Sequence, residues 1–343
     1  MPTPQKPIEI TSTIMLTDAQ IRAIKNKNPN TRIVAYSSKS VDQIPAEQWE
    51  KTEVLLSAGN FLPTRNMVPN LRWIQITYAG IDPILEYPLI YEKGIQITSA
   101  SGVMASQMGE YVLMALLMLG HKMPAILNAQ QQREWISNKS GMVLPKELRG
   151  STVGIVGYGS IGRQVARLLY SFGAKVLATK ADLSKLEDDG YIPEGLGDPK
   201  GDYFHRIYPS EGLFGMLSEC DFVVLTAPLT ESTKNMFSTE AFNAMKPDSY
   251  FINVSRGGLV DEPALISALR NKKIAGAMLD VFADEPLPLN SPLWRQNNLF
   301  ITPHVSGISA NLLNDVLMLF AENLSRYQQS LPLFNLIDPK KGY

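Results

Sequence analysis

Through the first hundred residues, short apolar runs alternate with segments whose apolar positions recur at helical spacing. Ile8–Met15, Arg32–Tyr36, Glu53–Ser57, Leu71–Ile76 and Ile95–Thr98 read as strands. Thr17 and Asp18 can cap a helix running to Ile24, and Ala46–Thr52 reads as another. Such alternation predicts a parallel sheet with helices on its faces. A long apolar helical stretch follows from about Met104 to Trp135, with a break expected near Pro124 and a polar turn over Asn138–Pro145.

A second alternating unit then begins. Thr152–Val156, Lys175–Ala178, Phe222–Thr226, Tyr250–Val254, Ala275–Val281 and Leu299–Ile301 read as strands, with helices at Ile161–Phe172, Glu240–Met245 and Pro263–Asn271. Residues 181–210 interrupt it as a polar excursion rich in Gly, Pro and Asp, too long for an ordinary connection. Ser309–Gln329 is an amphipathic helix with Leu312, Val316, Phe320, Leu324 and Tyr327 on one side. The expected fold is α/β, with two Rossmann/flavodoxin-like domains built on parallel sheets. Residues 102–305 form a domain inserted between the two parts of the other, 1–101 and 306–343.

The length, 343 residues, suits two domains. A formal net charge of −1 draws the molecule as a whole neither to nucleic acid nor to an anionic membrane. The single cysteine, Cys220, allows no intramolecular disulfide and fits a reducing compartment. The opening MPTPQKPIEITST lacks the apolar core of a signal peptide. The apolar run Val112–Leu119 falls far short of the roughly 20 residues that cross a bilayer. A soluble, cytoplasmic protein with no nucleic-acid, membrane or metal partner is therefore expected.

Gly157-Tyr158-Gly159-Ser160-Ile161-Gly162 is a G-x-G-x-x-G sequence lying between a predicted strand and a predicted helix, the context a dinucleotide-binding turn requires. Gly157 permits the tight turn, Gly159 lets backbone approach a pyrophosphate, and Gly162 lets the helix pack on the strand. The helix N-terminus offers N–H groups and partial positive charge to the phosphates. This makes 102–305 the dinucleotide-binding domain and leaves the flanking segments to bind substrate. At the end of the next strand an acid would accept from the ribose hydroxyls of NAD, but Thr179 and Lys180 stand there. A hydroxyl and a cation suit the 2′-phosphate of NADP, the expected cofactor. NAD stays open if an acid such as Asp182 arrives from the excursion.

Three strand ends carry candidate chemistry. His304 follows a strand in Thr302-Pro303-His304, Arg256 follows another in Asn253-Val254-Ser255-Arg256-Gly257, and Glu285 follows a third in Leu279-Asp280-Val281-Phe282-Ala283-Asp284-Glu285-Pro286. Residues beyond the carboxyl ends of parallel strands face the ligand crevice. There His304 can exchange a proton, Glu285 can fix its tautomer, Arg256 can grip a carboxylate, and Asp280 can accept from a nicotinamide carboxamide. His205 and His121 read as structural or surface residues.

Over nearly its whole length the chain resembles the D-isomer-specific 2-hydroxyacid dehydrogenases. The carrying segments are Glu147-Leu148-Arg149-Gly150, the glycine turn, Ala227-Pro228-Leu229-Thr230, and the three strand ends just given. The resemblance implies hydride transfer between NAD(P)H and a small 2-keto or 2-hydroxy acid. It makes His304 the general acid/base, Glu285 its support and Arg256 the residue that binds and polarises substrate. It also places Ala227, Pro228, Val254 and Gly307 at the cofactor, Tyr78-Ala79-Gly80 around the substrate carboxylate, and two copies of the chain in a homodimer. Lys180, the long excursion, and Gly109 where alanine is usual before Glu110 depart from the family's pattern. The alternatives are a non-enzymatic dinucleotide sensor and a dehydrogenase of formate or phosphite. Pro303 counts against formate, since relatives acting on it carry glutamine before the histidine. The complete Arg256, Glu285 and His304 set counts against a sensor.

Overall fold

A computed structural model describes residues 6–137 and 143–342. Part of the polar turn expected at Asn138–Pro145, residues 138–142, lies outside the described residues. The chain divides into two compact units: Met1–Met104 with Asp189–Tyr191 and Ser309–Tyr343, and Ala105–Asp188 with Ile192–Ile308. The expected boundaries lie three residues before the crossings at Met104 and Ile308, and the passage of Asp189–Tyr191 into the first unit is not among them.

The first unit holds β1 (Ile8–Ser12), α1 (Asp18–Lys27), β2 (Thr31–Ala35), α2 (Ala46–Lys51), β3 (Val54–Ser57), β4 (Trp73–Ile76), β5 (Gln96–Thr98) and, at the chain's end, the helix Leu312–Gln328. Its five strands are all parallel in the order β2-β1-β3-β4-β5, the flavodoxin-like order. Thr17 caps α1 through a capping box with Gln20. Strand alternation sorts the core. Val54, Leu56 and Trp73 pack on one side with Leu317, Phe320 and Leu324 of the terminal helix. Leu55 and Ile74 pack on the other with Trp49, Leu71 and Ile97.

The second unit holds α3 (Ala105–Gly120), α4 (Met123–Gln132), β6 (Thr152–Val156), α5 (Ser160–Ser171), β7 (Lys175–Thr179), β8 (Arg206–Tyr208), α6 (Leu213–Leu217), β9 (Phe222–Leu225), α7 (Thr239–Ala244), β10 (Tyr250–Asn253), α8 (Glu262–Arg270), β11 (Gly276–Leu279) and β12 (Leu299–Ile301); the terminal helix of the first unit is α9. Its seven strands run β12-β11-β10-β9-β6-β7-β8, with every adjacent pair parallel. The chain order reverses between β6 and β9, the switch point at which doubly wound sheets bind ligands.

Two local readings change. The long apolar stretch breaks at His121–Lys122 rather than at Pro124, because Lys122 adopts φ 58° and Pro124 sits in the first turn of α4. There its missing N–H costs nothing. The two helices meet at 65°, and among the described residues no single helix is long and apolar enough to cross a membrane. The excursion also contains an edge strand, β8, too short at three residues to leave a period in the sequence.

Candidate active site

The glycine turn joins β6 to α5 at the switch point. Gly157 has φ 102°, and a Cβ there would lie 2.6 Å from the backbone of Ala227 after β9. A Cβ on Gly162 would lie 2.4 Å from the Gly157 carbonyl. These two glycines are required by backbone packing. Gly159 differs: it is exposed, and among the described residues no atom beyond its chain neighbours lies within 4 Å of where its Cβ would be. The open space over Gly159 at the head of α5 is the cradle a pyrophosphate fits.

Around the turn, the Gly157 N–H donates to Thr179 Oγ1 at 3.2 Å and the Tyr158 N–H to the Thr179 carbonyl at 2.9 Å. Lys180 is half-buried, with Nζ 3.5 Å from the Tyr158 carbonyl. On the β9 side, Thr226 Oγ1 donates to the Gly157 carbonyl at 2.8 Å, Ser255 Oγ donates to the Ala227 carbonyl, and the Pro228 carbonyl accepts from Thr233 at 2.7 Å. Val254 is buried and its N–H reaches the Leu225 carbonyl. Ser160 and Ile161 open α5, half-buried. The residues expected at the cofactor around the turn thus come together at the carboxyl ends of β6, β7, β9 and β10.

His304 Nδ1 lies 2.7 Å from Glu285 Oε2. A carboxylate only accepts, so Nδ1 carries the proton and Nε2 is left to exchange one. Glu285 Oε1 accepts from the Phe282 N–H at 2.9 Å, which fixes the carboxylate. His304 itself has φ 53°, and its N–H donates to the Asp280 carbonyl at 2.8 Å.

Asp280 organises this turn. It is fully buried, and its carboxylate accepts from Thr302 Oγ1 at 2.6 Å, Val305 N–H at 2.9 Å and Ser306 N–H at 2.8 Å. In the structure it therefore holds the histidine loop, a role its sequence position did not signal. Tyr111 of α3 bonds Thr302 behind it. Burial pushes the Tyr111 phenol up to about 12; the Thr302 bond opposes the rise and the Asp280 charge adds to it. The phenol stays protonated. Nothing in the sequence singled out Tyr111, which reads there as one more residue of an apolar helix. Gln107, a turn earlier, donates to the Gly307 carbonyl at 3.3 Å.

Arg256 is half-buried, with Nη1 2.9 Å from the Ser255 carbonyl. Asn253 braces its loop by donating to the Arg256 carbonyl and accepting from the Ser255 N–H. The next residue, Gly257, admits no side chain: a Cβ would lie 1.8 Å from the Phe282 carbonyl carbon. The arginine loop is thereby pressed against the Phe282–Ala283 peptide, beside the N–H that binds Glu285. Three strand ends become one cluster.

Tyr78, Ala79 and Gly80 belong to the first unit, after β4, where the Tyr78 carbonyl accepts from the Ala100 N–H at 2.8 Å and the side chain is exposed. His205 pairs with the edge of β7, its Nδ1 accepting from the Val176 N–H. Cys220 is fully buried, and burial pushes its thiol up to about 12. Gly109 is explained by helix crossing: a Cβ there would lie 2.9 Å from Gln164 Cγ of α5.

A glycine cradle at the switch point of a parallel sheet, with a tautomer-fixed histidine at neighbouring strand ends, defines a dinucleotide-dependent oxidoreductase. The model of the D-isomer specific 2-hydroxyacid dehydrogenase NAD binding domain matches residues 113–306. An (S)-sulfolactate dehydrogenase of Chromohalobacter salexigens is 32% identical over 262 residues, covering 75% of this chain and 78% of that protein. A glyoxylate reductase of Korarchaeum cryptofilum is 30% identical over 275 residues, covering 79% and 77%. A D-isomer specific 2-hydroxyacid dehydrogenase of Xanthobacter autotrophicus Py2, solved with NADPH and MES, superposes with a TM-score of 0.80 at 26% identity, covering 98% of this chain and all of that one. The chain belongs to the D-isomer specific 2-hydroxyacid dehydrogenases, oxidoreductases that pass a hydride between NAD(P)H and a 2-keto or 2-hydroxy acid.

Proposed function

We propose that this dehydrogenase works as an NADPH-preferring reductase of small 2-keto acids, with His304 as general acid/base. The observation that carries the reading is the His304–Glu285 pair, held by Asp280 and leaving Nε2 to exchange a proton. A dinucleotide held by its pyrophosphate at the glycine turn would supply the hydride from its nicotinamide. Residues 157–162 would hold the pyrophosphate with the N–H groups of α5, and Asp280 would accept from the carboxamide. Lys180 and the Thr179 hydroxyl, which accepts from the Gly157 N–H and keeps its own proton to donate, would take the 2′-phosphate. The relative solved with NADPH supports this preference.

On the substrate side, Arg256 grips the keto acid and offsets negative charge developing on its carbonyl oxygen, while His304 delivers the proton to that oxygen. The backbone of Tyr78, Ala79 and Gly80 takes the carboxylate by family resemblance. A substrate among short acids is supported by the names of two relatives, a glyoxylate reductase and an (S)-sulfolactate dehydrogenase. We place the enzyme in the cytoplasm as a homodimer. Exposed Met114, Ile126, Leu127, Trp135 and Leu144 on and after α3 and α4 support the dimer.

Absorbance of the reduced nicotinamide tests the reading, with NADPH and then NADH against 2-keto acids from glyoxylate to phenylpyruvate. Faster oxidation of NADPH with a short acid is expected. A clear NADH preference overturns the assignment of Lys180, and no turnover of any keto acid by protein that binds NADPH overturns the substrate class.

A further inference from the structure

The excursion after β7 is built around two buried charges. Asp198 is 1% exposed, and its carboxylate collects the Tyr158 hydroxyl at 2.6 Å and the N–H groups of Gly201, Asp202 and Tyr203 at 3.0, 2.7 and 3.1 Å. Arg163, also 1% exposed, donates to the carbonyls of Asp198 and Leu186 at 2.5 Å each, and its Nε faces Asp188 at 3.4 Å. Gln164 accepts from the Gly197 N–H at 2.7 Å. The guanidinium also lies over the Tyr158 ring, 5.0 Å from its centroid, and Phe204 packs edge-on against that ring.

Burying an arginine and an aspartate is costly unless every donor and acceptor finds a partner, and a solvated surface insertion needs neither. Tyr158 lies inside the glycine turn, and Arg163 and Gln164 follow at the start of α5. The excursion has therefore folded onto the segment that cradles the dinucleotide. Tyr158 also faces the other way: its backbone N–H binds the Thr179 carbonyl, and its carbonyl lies 3.5 Å from Lys180 Nζ. One residue joins the excursion, the glycine turn and the expected 2′-phosphate contact. Burial, then Asp198, push its phenol well above the ordinary tyrosine range, so the hydroxyl remains a donor.

We propose that Tyr158, Arg163 and Asp198 form a positioning cluster through which the excursion sets the shape of the dinucleotide cradle and the placement of Lys180. The proposal rests on the reading that this turn binds NADPH, and the two can fail separately.

The test is fluorescence titration of the full-length enzyme with NADPH and NADH, followed by steady-state kinetics. Wild-type protein that binds neither cofactor overturns the underlying reading. Given binding, Tyr158→Phe removes only the hydroxyl from Asp198. It is expected to raise KM and Kd for NADPH about tenfold, raise those for NADH less, and leave kcat within about twofold. Asp188→Asn, a milder change on the Arg163 side, is expected to raise KM for NADPH about two- to threefold, and it decides the matter if Tyr158→Phe does not fold. A lowered Tm with NADPH affinity unchanged in the folded variants overturns the proposal, because a purely structural pin would behave so.

Discussion

His304 holds a left-handed backbone conformation, φ 53°, uncommon outside glycine and tolerated best by Asn, Asp and His. The conformation follows from the Asp280 carboxylate, which gathers the N–H groups of the two following residues and bends the chain there. The informative substitution is therefore His304→Asn, which keeps the backbone preference and loses the ring. It should lower kcat/KM by about 10²–10⁴, the scale of general acid/base catalysis. Thermal stability should stay close to wild type, since the side chain is half exposed and makes one polar contact. Near-normal activity in folded His304→Asn, read by initial rates with NADPH, would place the proton donor elsewhere. The sequence made His304, Glu285 and Arg256 legible because each stands just past an apolar strand. It hid Tyr111 and the turn-building part of Asp280, because their partners are backbone groups and a hydroxyl that only the fold assembles.

At the scale of elements, the dinucleotide crevice exists because β6 and β9 lie side by side, and the N-terminal ends of these strands are tied by one carboxylate. Asp221, just before β9, accepts from the Thr152 N–H at 2.8 Å and from Lys246 at 3.0 Å, with Lys146 at 3.6 Å. Burial pushes its carboxyl up, but the Thr152 bond and the two ammonium groups outweigh burial and hold it below its usual range. A carboxyl depressed in the folded state adds stability above its unfolded pKa of about 4 and loses it as pH falls through the folded value. Asp221→Asn should thus cost about 1.5–3 kcal/mol near neutral pH, the scale of a hydrogen bond to a charged group. The gap to wild type should begin to shrink as pH falls below about 4 and close only below the depressed folded value. Urea unfolding across pH measures it, and a gap undiminished in acid would mean packing, rather than charge, holds this end of the sheet. The βα alternation revealed the parallel sheets before any coordinates. It missed β8 because a three-residue edge strand pairs on one side only, against β7, and leaves no buried period. It misplaced the α3–α4 break because Pro124 draws the eye, although proline is harmless in a first turn.

For the molecule as a whole, the order of the chain and the order of the cores disagree. The first unit is begun by β1 and completed by α9, so Ile10, Val54 and Trp73 pack with Leu317, Phe320 and Leu324, nearly the whole chain apart. Trp73 stacks on Phe320 with centroids 5.3 Å apart and on Tyr327 at 5.7 Å. Its indole N–H reaches Thr98 at 2.8 Å, so the ring is fixed by packing and by a polar bond. Contacts of such sequence separation exact a large loop-closure entropy, which the buried aromatic surface must offset. Phe320 has no exposed surface, and Phe320→Ala would open a cavity beneath Trp73. The substitution should destabilise the first unit by about 3–5 kcal/mol. Tryptophan fluorescence during urea unfolding reports it, with Trp73 losing its stacked neighbour. The glycine turn belongs to the other unit, so the folded variant should still bind NADPH at low temperature with wild-type affinity. An unshifted unfolding midpoint would mean that α9 adds little to this core.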